Sequence, residues 1–112
     1  MKRGSVWYAD LDPTRGHEQA GRRPCVIVSA DRLNEGRSGL VTILPITSKP
    51  RRELASRVYV PRLDGGLTLD SWIITEQVRT ISKTRLGHQL GELTEQQMAD
   101  VDDALRMLLA LD

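Results

Sequence analysis

The stretch Gly16-His17-Glu18-Gln19-Ala20-Gly21-Arg22-Arg23-Pro24-Cys25-Val26-Ile27-Val28-Ser29 changes character at one residue. Ahead of Pro24 it is too polar to be buried and too charged to serve only as a connection. Its two glycines permit a mobile loop. Behind Pro24, Cys25 to Val28 is apolar without interruption, as in a strand covered on both faces. Proline disfavours helical backbone in the residue before it, so Arg23 is pushed extended. The guanidinium is then presented at the mouth of a strand, where its planar fork of donors suits a phosphate. The alternative is an ion pair with Glu18 or Asp31.

Outward from this stretch, short β-type runs recur at 5–9, 25–29, 40–44, 57–60 and 72–81. Turn chemistry separates them: Asp12-Pro13, Gly21 before Pro24, glycines at 36 and 39, Lys49-Pro50 and Asp64-Gly65-Gly66. Val41/Ile43 and Val58/Val60 alternate at the period of half-buried strands. The end of the chain differs. Thr94-Glu95-Gln96-Gln97 carries the capping-box pattern, and Met98, Val101, Leu105 and Leu108 follow at helical spacing. Ala104 and Leu111 join that face, while Asp100, Asp103 and Arg106 stand opposite. The spacing predicts an amphipathic helix of about 17 residues that must pack on the sheet or on a partner. A shorter helical turn is expected after Ser82, and a late strand around His88. With no linker, repeat or low-complexity tract, residues 1–112 read as one α+β domain, mainly β.

Composition narrows the class. The longest apolar stretch, near 108–111, falls far short of the ~20 residues of a membrane helix, and the N-terminus carries no signal-peptide pattern. A soluble, cytoplasmic protein is expected. The single cysteine, Cys25, excludes an internal disulfide or a multi-cysteine zinc site and reads as a small buried hydrophobe. Net charge is only +1, which argues against a basic nucleic-acid binder until it is divided by position. Residues 1–89 hold 15 basic and 9 acidic groups, net +6, and residues 90–112 hold 1 basic and 6 acidic, net −5. Thirteen of the sixteen basic residues are arginine.

Few constellations could carry chemistry. His17 and His88 sit in unlike contexts with no serine or cysteine nucleophile motif and no compact metal-ligand set. His88 reads as a surface or interface histidine. Pro45-Ile46-Thr47-Ser48-Lys49 places a hydroxyl pair after an apolar strand, where it can donate to an oxyanion or cap a turn. Only Trp7, Tyr8, Tyr59 and Trp72 are aromatic, and Trp7 and Tyr8 cannot both face the core from one strand.

Taken in order, Arg3-Gly4-Ser5-Val6-Trp7, Leu11-Asp12-Pro13, the Gly16 to Pro24 segment, Val26-Ile27-Val28-Ser29, Pro45-Ile46-Thr47-Ser48 and Glu76-Gln77-Val78-Arg79-Thr80-Ile81 resemble the MazF/PemK toxins of bacterial toxin–antitoxin pairs. The resemblance runs from Arg3 to the C-terminal helix. It implies a small, strongly curved, barrel-like antiparallel sheet with a C-terminal helix, shared with CcdB-type toxins. It also implies a homodimeric, metal-independent endoribonuclease needing no cofactor. Such an enzyme cuts single-stranded mRNA at specific sequences, leaves a 2′,3′-cyclic phosphate and a 5′-hydroxyl, and is inhibited by a MazE-like antitoxin with an acidic tail.

By position, the catalytic residues implied are Arg23 and Thr47. Arginine is a poor base, so Glu18 or His17 on the loop, or a water, is left for the proton. RNA contacts are expected from Arg15, His17, Gln19, Arg22, Ser48, Arg51 and Gln77. The guanidiniums of Arg15, Arg22 and Arg51 can stack on bases. Gln77 reads either as a base reader or as a polar residue on a strand surface. Two other classes stand beside this one: a CcdB-like gyrase poison and a non-catalytic antitoxin-binding barrel. The gyrase poisons lack the arginine–threonine pair and end in Trp-Gly-Ile, whereas this chain ends Leu109-Ala110-Leu111-Asp112.

Overall fold

The computed structural model describes residues 1–49 and 56–112. Seven strands make one sheet: β1 (Ser5–Asp10), β2 (Arg22–Ile27), β3 (Leu40–Thr47), β4 (Arg57–Val60), β5 (Ser71–Ile74), β6 (Arg79–Ser82) and β7 (Leu86–Glu92). Every pairing is antiparallel, in the order β4-β5-β3-β2-β1-β7, with β6 also on β3. The outermost strands β4 and β7 do not pair, so the barrel-like sheet stays open. Two helices are added, the short α1 (Asp31–Asn34) and the C-terminal α2 (Glu95–Leu109).

The apolar run after Pro24 is covered on both faces, as its composition demands. Cys25, Val26 and Ile27 are all fully buried, but they enter two separate cores. Cys25 and Ile27 join Val41, Ile43, Ala9, Leu11 and Ile81. Val26 joins Val6, Leu44, Ile46, Ile73 and Val101 on the other face. Period-two alternation thus sorts β2 and β3 onto both sides of the sheet. Burial pushes the Cys25 thiol pKa up to about 12. Trp7 packs against the Cys25 side, while Tyr8 stays 38% exposed.

The run 72–81, expected as one strand, is two. Ile46 of β3 pairs with Ile73, whereas Ile43 pairs with Arg79. Three positions along β3 therefore span six along the run, and the surplus is taken up by a 3-10 turn at Thr75–Gln77. The Thr75 hydroxyl donates to the Ser56 carbonyl there. A second 3-10 turn, Lys83–Arg85, follows Ser82 as expected, and the Ser82 hydroxyl accepts the Thr84 N–H.

Helix α2 opens with the full capping box: Thr94 Oγ1 accepts the Gln97 N–H at 3.1 Å and Gln97 Oε1 accepts the Thr94 N–H at 2.9 Å. It runs 15 residues rather than about 17, because Ala110 turns left-handed and the Leu111 N–H bonds back to the Arg106 carbonyl at 2.8 Å. Met98, Val101 and Leu105 pack on the sheet, and Arg3 pairs with Asp102. The last turn extends past the sheet and leaves Met107, Leu108, Leu109 and Leu111 exposed.

Gly66 explains how the turn Asp64–Gly66 lies against β7. Its φ is +76°, and a Cβ there would stand 2.0 Å from the Leu90 carbonyl oxygen. Only glycine lets these backbones approach so closely. Gln97 Nε2 of α2 also donates to Asp64 Oδ2 at 2.9 Å, which fixes the turn from the other side.

Candidate active site

The ends of β2 and β3 meet at a cleft of about 320 Å³. Arg22, Arg23 and Pro24 enter it from β2, Ile46 and Thr47 from β3, and Ser48 from the turn beyond. Pro24 is paired with Tyr8 inside the β1–β2 ladder, so the strand begins at Arg22, ahead of the apolar run. Arg23 is accordingly half-buried and extended at a strand end. Its Nε donates to the Ala20 carbonyl at 2.8 Å, which orients the guanidinium plane. Neither expected carboxylate takes it. Glu18 Oε1 accepts the Arg15 N–H at 3.0 Å, and Asp31 Oδ1 accepts the Arg3 N–H at 2.6 Å. Among the described residues, Arg22 and Arg23 have no ion pair.

Thr47 is buried at the end of β3, and its hydroxyl accepts the Lys49 N–H at 3.1 Å. That is the turn-capping contact. It does not exhaust the hydroxyl, which still has its own proton to donate. The cap fixes where the oxygen sits, and no acceptor among the described residues takes its proton.

The far wall of the cleft is Gly66, Leu67, Thr68, Leu69 and Ser71, closed by Tyr8 and Leu90. Sequence reasoning read Asp64-Gly65-Gly66 only as a turn and missed this wall. The glycine pair was a signal that backbones meet there, but it did not say where.

The other expected contact residues divide. Gln77 reaches the loop through both ends of its amide: Oε1 accepts the Gln19 N–H at 2.7 Å and Nε2 donates to the His17 carbonyl at 3.1 Å. It is half-buried and positions the loop backbone. Gln19 Oε1 is buried with no hydrogen-bond partner among the described residues. Arg15, His17 and Glu18 are exposed on the loop and do not line the cleft. Arg51 lies outside the described residues. Beside Gln77, Glu76 accepts from the Ser56 hydroxyl at 3.0 Å and pairs with Arg57 at 3.4 Å.

An antiparallel sheet with a cationic, hydroxyl-bearing cleft at a strand end has the chemistry to take an anion. No helix is long and apolar enough to cross a membrane, and no group of three His, Cys, Asp or Glu among the described residues is placed to hold a metal ion.

The comparisons with known proteins make the class specific. Residues 2–109 match the PemK-like, MazF-like toxins of type II toxin–antitoxin systems, and the chain belongs to that family. It is 37% identical, over 99% of its length and 98% of the relative's, to Endoribonuclease MazF9 of Mycobacterium tuberculosis. It superposes on MazF from Deinococcus radiodurans with TM-score 0.85 at 28% identity, covering 99% of this chain and 97% of that one. A mycobacterial endoribonuclease solved in complex with its cognate antitoxin matches with TM-score 0.78 at 26% identity, over 100% of this chain and 95% of that one.

Proposed function

We propose that the chain is a cytoplasmic endoribonuclease toxin that cuts single-stranded mRNA at specific sequences and thereby arrests translation. The reading rests on one observation above others: Arg23 and Thr47 line one cleft from adjacent strands, with no carboxylate partner among the described residues. In the reaction the RNA's 2′-oxygen bonds to phosphorus and the bond to the 5′-oxygen breaks. The products are a 2′,3′-cyclic phosphate and a 5′-hydroxyl. The nucleophile belongs to the substrate, so the chain needs no nucleophile, metal or cofactor of its own. Its task is to hold the doubly charged phosphorane, with the Arg23 guanidinium and the Thr47 proton on the non-bridging oxygens.

Two protons move, one off the 2′-hydroxyl and one from solvent water onto the leaving 5′-oxygen. Glu18 takes the first when the loop closes over bound RNA, and its carboxylate bond to the Arg15 N–H is weak enough to exchange. The pH–rate profile of Glu18→Gln tests this step. Loss of the acid limb is expected, and a profile superimposable on wild type rejects Glu18 as the base.

Arg22, Arg23 and Ser48 in the cleft suit a few phosphates of a single strand, consistent with the +6 body of residues 1–89. The same cleft suits the acidic tail of a MazE-like antitoxin, which then inhibits by occupying the RNA's place. The active form is a homodimer, supported by the exposed apolar end of α2. Primer extension on a long RNA after partial digestion tests activity and sequence preference together. Discrete stops at one motif are expected, and an RNA that stays intact rejects the reading.

A further inference from the structure

We propose that a second cleft, at the β1–β7 end of the sheet, is a subsite for one nucleotide of the RNA strand beyond the scissile phosphate. The proposal rests on the ribonuclease reading and adds a place for the substrate to it.

This cleft has a volume of about 450 Å³, within the ~300–1,000 Å³ range of small-ligand sites. Tyr8, Asp10, Arg22, Thr84, Arg85 and His88 supply its functional groups. Tyr8 and Arg22 also line the Arg23–Thr47 cleft, so the two hollows share a wall. A strand leaving one passes directly to the other.

Its chemistry matches a nucleotide part by part. The Tyr8 and His88 rings lie with centroids 5.2 Å apart and planes tilted by 52°. Both residues are exposed, so a paired aromatic surface faces solvent in a chain with only four Tyr and Trp. An unstacked base covers such a surface without regard to its identity. Arg85 Nη1 donates to the carbonyls of Asp10 at 3.3 Å and Asp12 at 2.5 Å, which fixes its fork and leaves the other nitrogens available. Arg22 adds a second cation. Asp10 is the only carboxylate in the lining among the described residues, and its Oδ1 already accepts the Asp12 N–H at 3.1 Å. Two guanidiniums against one engaged carboxylate favour a single phosphodiester. An acidic peptide would satisfy the arginines but leave the ring pair uncovered.

The test compares two RNAs carrying the mapped cleavage motif, one minimal and one lengthened by three nucleotides on each side. Wild type should gain in kcat/KM from the extension. His88→Ala should lose about tenfold of that gain, the size expected for one base stack, and His88→Tyr should keep it. An unchanged gain in His88→Ala overturns the subsite. Binding of the lengthened strand with 2′-deoxyribose throughout separates this failure from failure of the ribonuclease reading, because that strand has no nucleophile to react. If it shifts the Tyr8 and His88 ring signals in NMR, the subsite holds even without cleavage. If those signals instead shift with protein concentration alone, a second copy fills the cleft and the proposal fails.

Discussion

Arg23 of β2 and Thr47 of β3 each stand two residues beyond the last pair of one antiparallel ladder, Cys25 with Pro45. Behind that pair Val26 pairs with Leu44 and Ile27 with Ile43, while beyond it Arg23 pairs with Ala9 of β1 and Thr47 with Trp72 of β5. Both residues line the same cleft, where two donors can meet one phosphate. Burial anchors both strands behind the cleft: Cys25 and Ile43 lie in one core, and Val26 and Leu44 in the other. The core sets the spacing of the site.

Loss of either donor should therefore slow the chemical step while sparing the fold. Arg23→Ala and Thr47→Ala are each expected to lower kcat by about 10²–10³-fold, with circular dichroism unchanged. Thr47→Ser keeps both the Lys49 cap and a proton to donate, so it should retain most activity. If Thr47→Ser is as slow as Thr47→Ala, the hydroxyl has no catalytic part.

Gln77 acts one step away, through the loop. Gln77→Ala removes the bonds to the Gln19 N–H and the His17 carbonyl, worth about 0.5–1.5 kcal/mol each. Faster hydrogen exchange at the Gln19 amide is expected, with KM for RNA raised more than kcat is lowered. An unchanged exchange rate would show that the loop is held by something else.

These relationships were unevenly legible in the sequence. Pro24 marked the passage from loop to strand, and the apolar run behind it announced a two-sided core. The capping box at Thr94 fixed the start of α2 to the residue. Hydropathy periodicity could not see the 3-10 turn at Thr75–Gln77, because β-type residues on both sides of these three polar ones let 72–81 read as one strand. Nor could it tell that the last turn of α2 has no sheet beneath it. From residues alone Arg23 was as easily a surface ion pair, and Thr47 read first as a turn cap; only the family resemblance pointed to a catalytic pair. The Gly66–Leu69 wall stayed hidden because it depends on contact between segments distant in sequence.

That wall depends on a missing side chain. In Gly66→Ala the added carbon meets the Leu90 carbonyl and strains a left-handed residue, so the turn must move. Gly16→Ala has a similar φ, +59°, with nothing within 4 Å of the new carbon, so it bears the conformational cost alone. Urea unfolding should show a loss of about 1 kcal/mol for Gly16→Ala and a clearly larger one for Gly66→Ala. Equal losses would mean that the turn and β7 are not in contact.

The Cys25 thiol gives the fold an alkaline limit. Below about pH 9 the folded and unfolded chains both keep its proton, and it adds no pH dependence. Above that the unfolded chain releases the proton, while the folded one holds it up to about pH 12. Stability should fall through this window in wild type and fall less steeply in Cys25→Ala, as read from urea unfolding at pH 8 and pH 10.5. Parallel declines would show that other groups set the limit. At pH 8 the native thiol should also resist alkylation.

The decisive comparison is the cleavage of a single-stranded RNA in EDTA by wild type and by Arg23→Ala, with the termini mapped. Wild type should leave a 2′,3′-cyclic phosphate facing a 5′-hydroxyl, and folded Arg23→Ala should leave the RNA intact over the same period. Cleavage that needs added Mg²⁺, or normal cleavage by folded Arg23→Ala, would contradict the site described above.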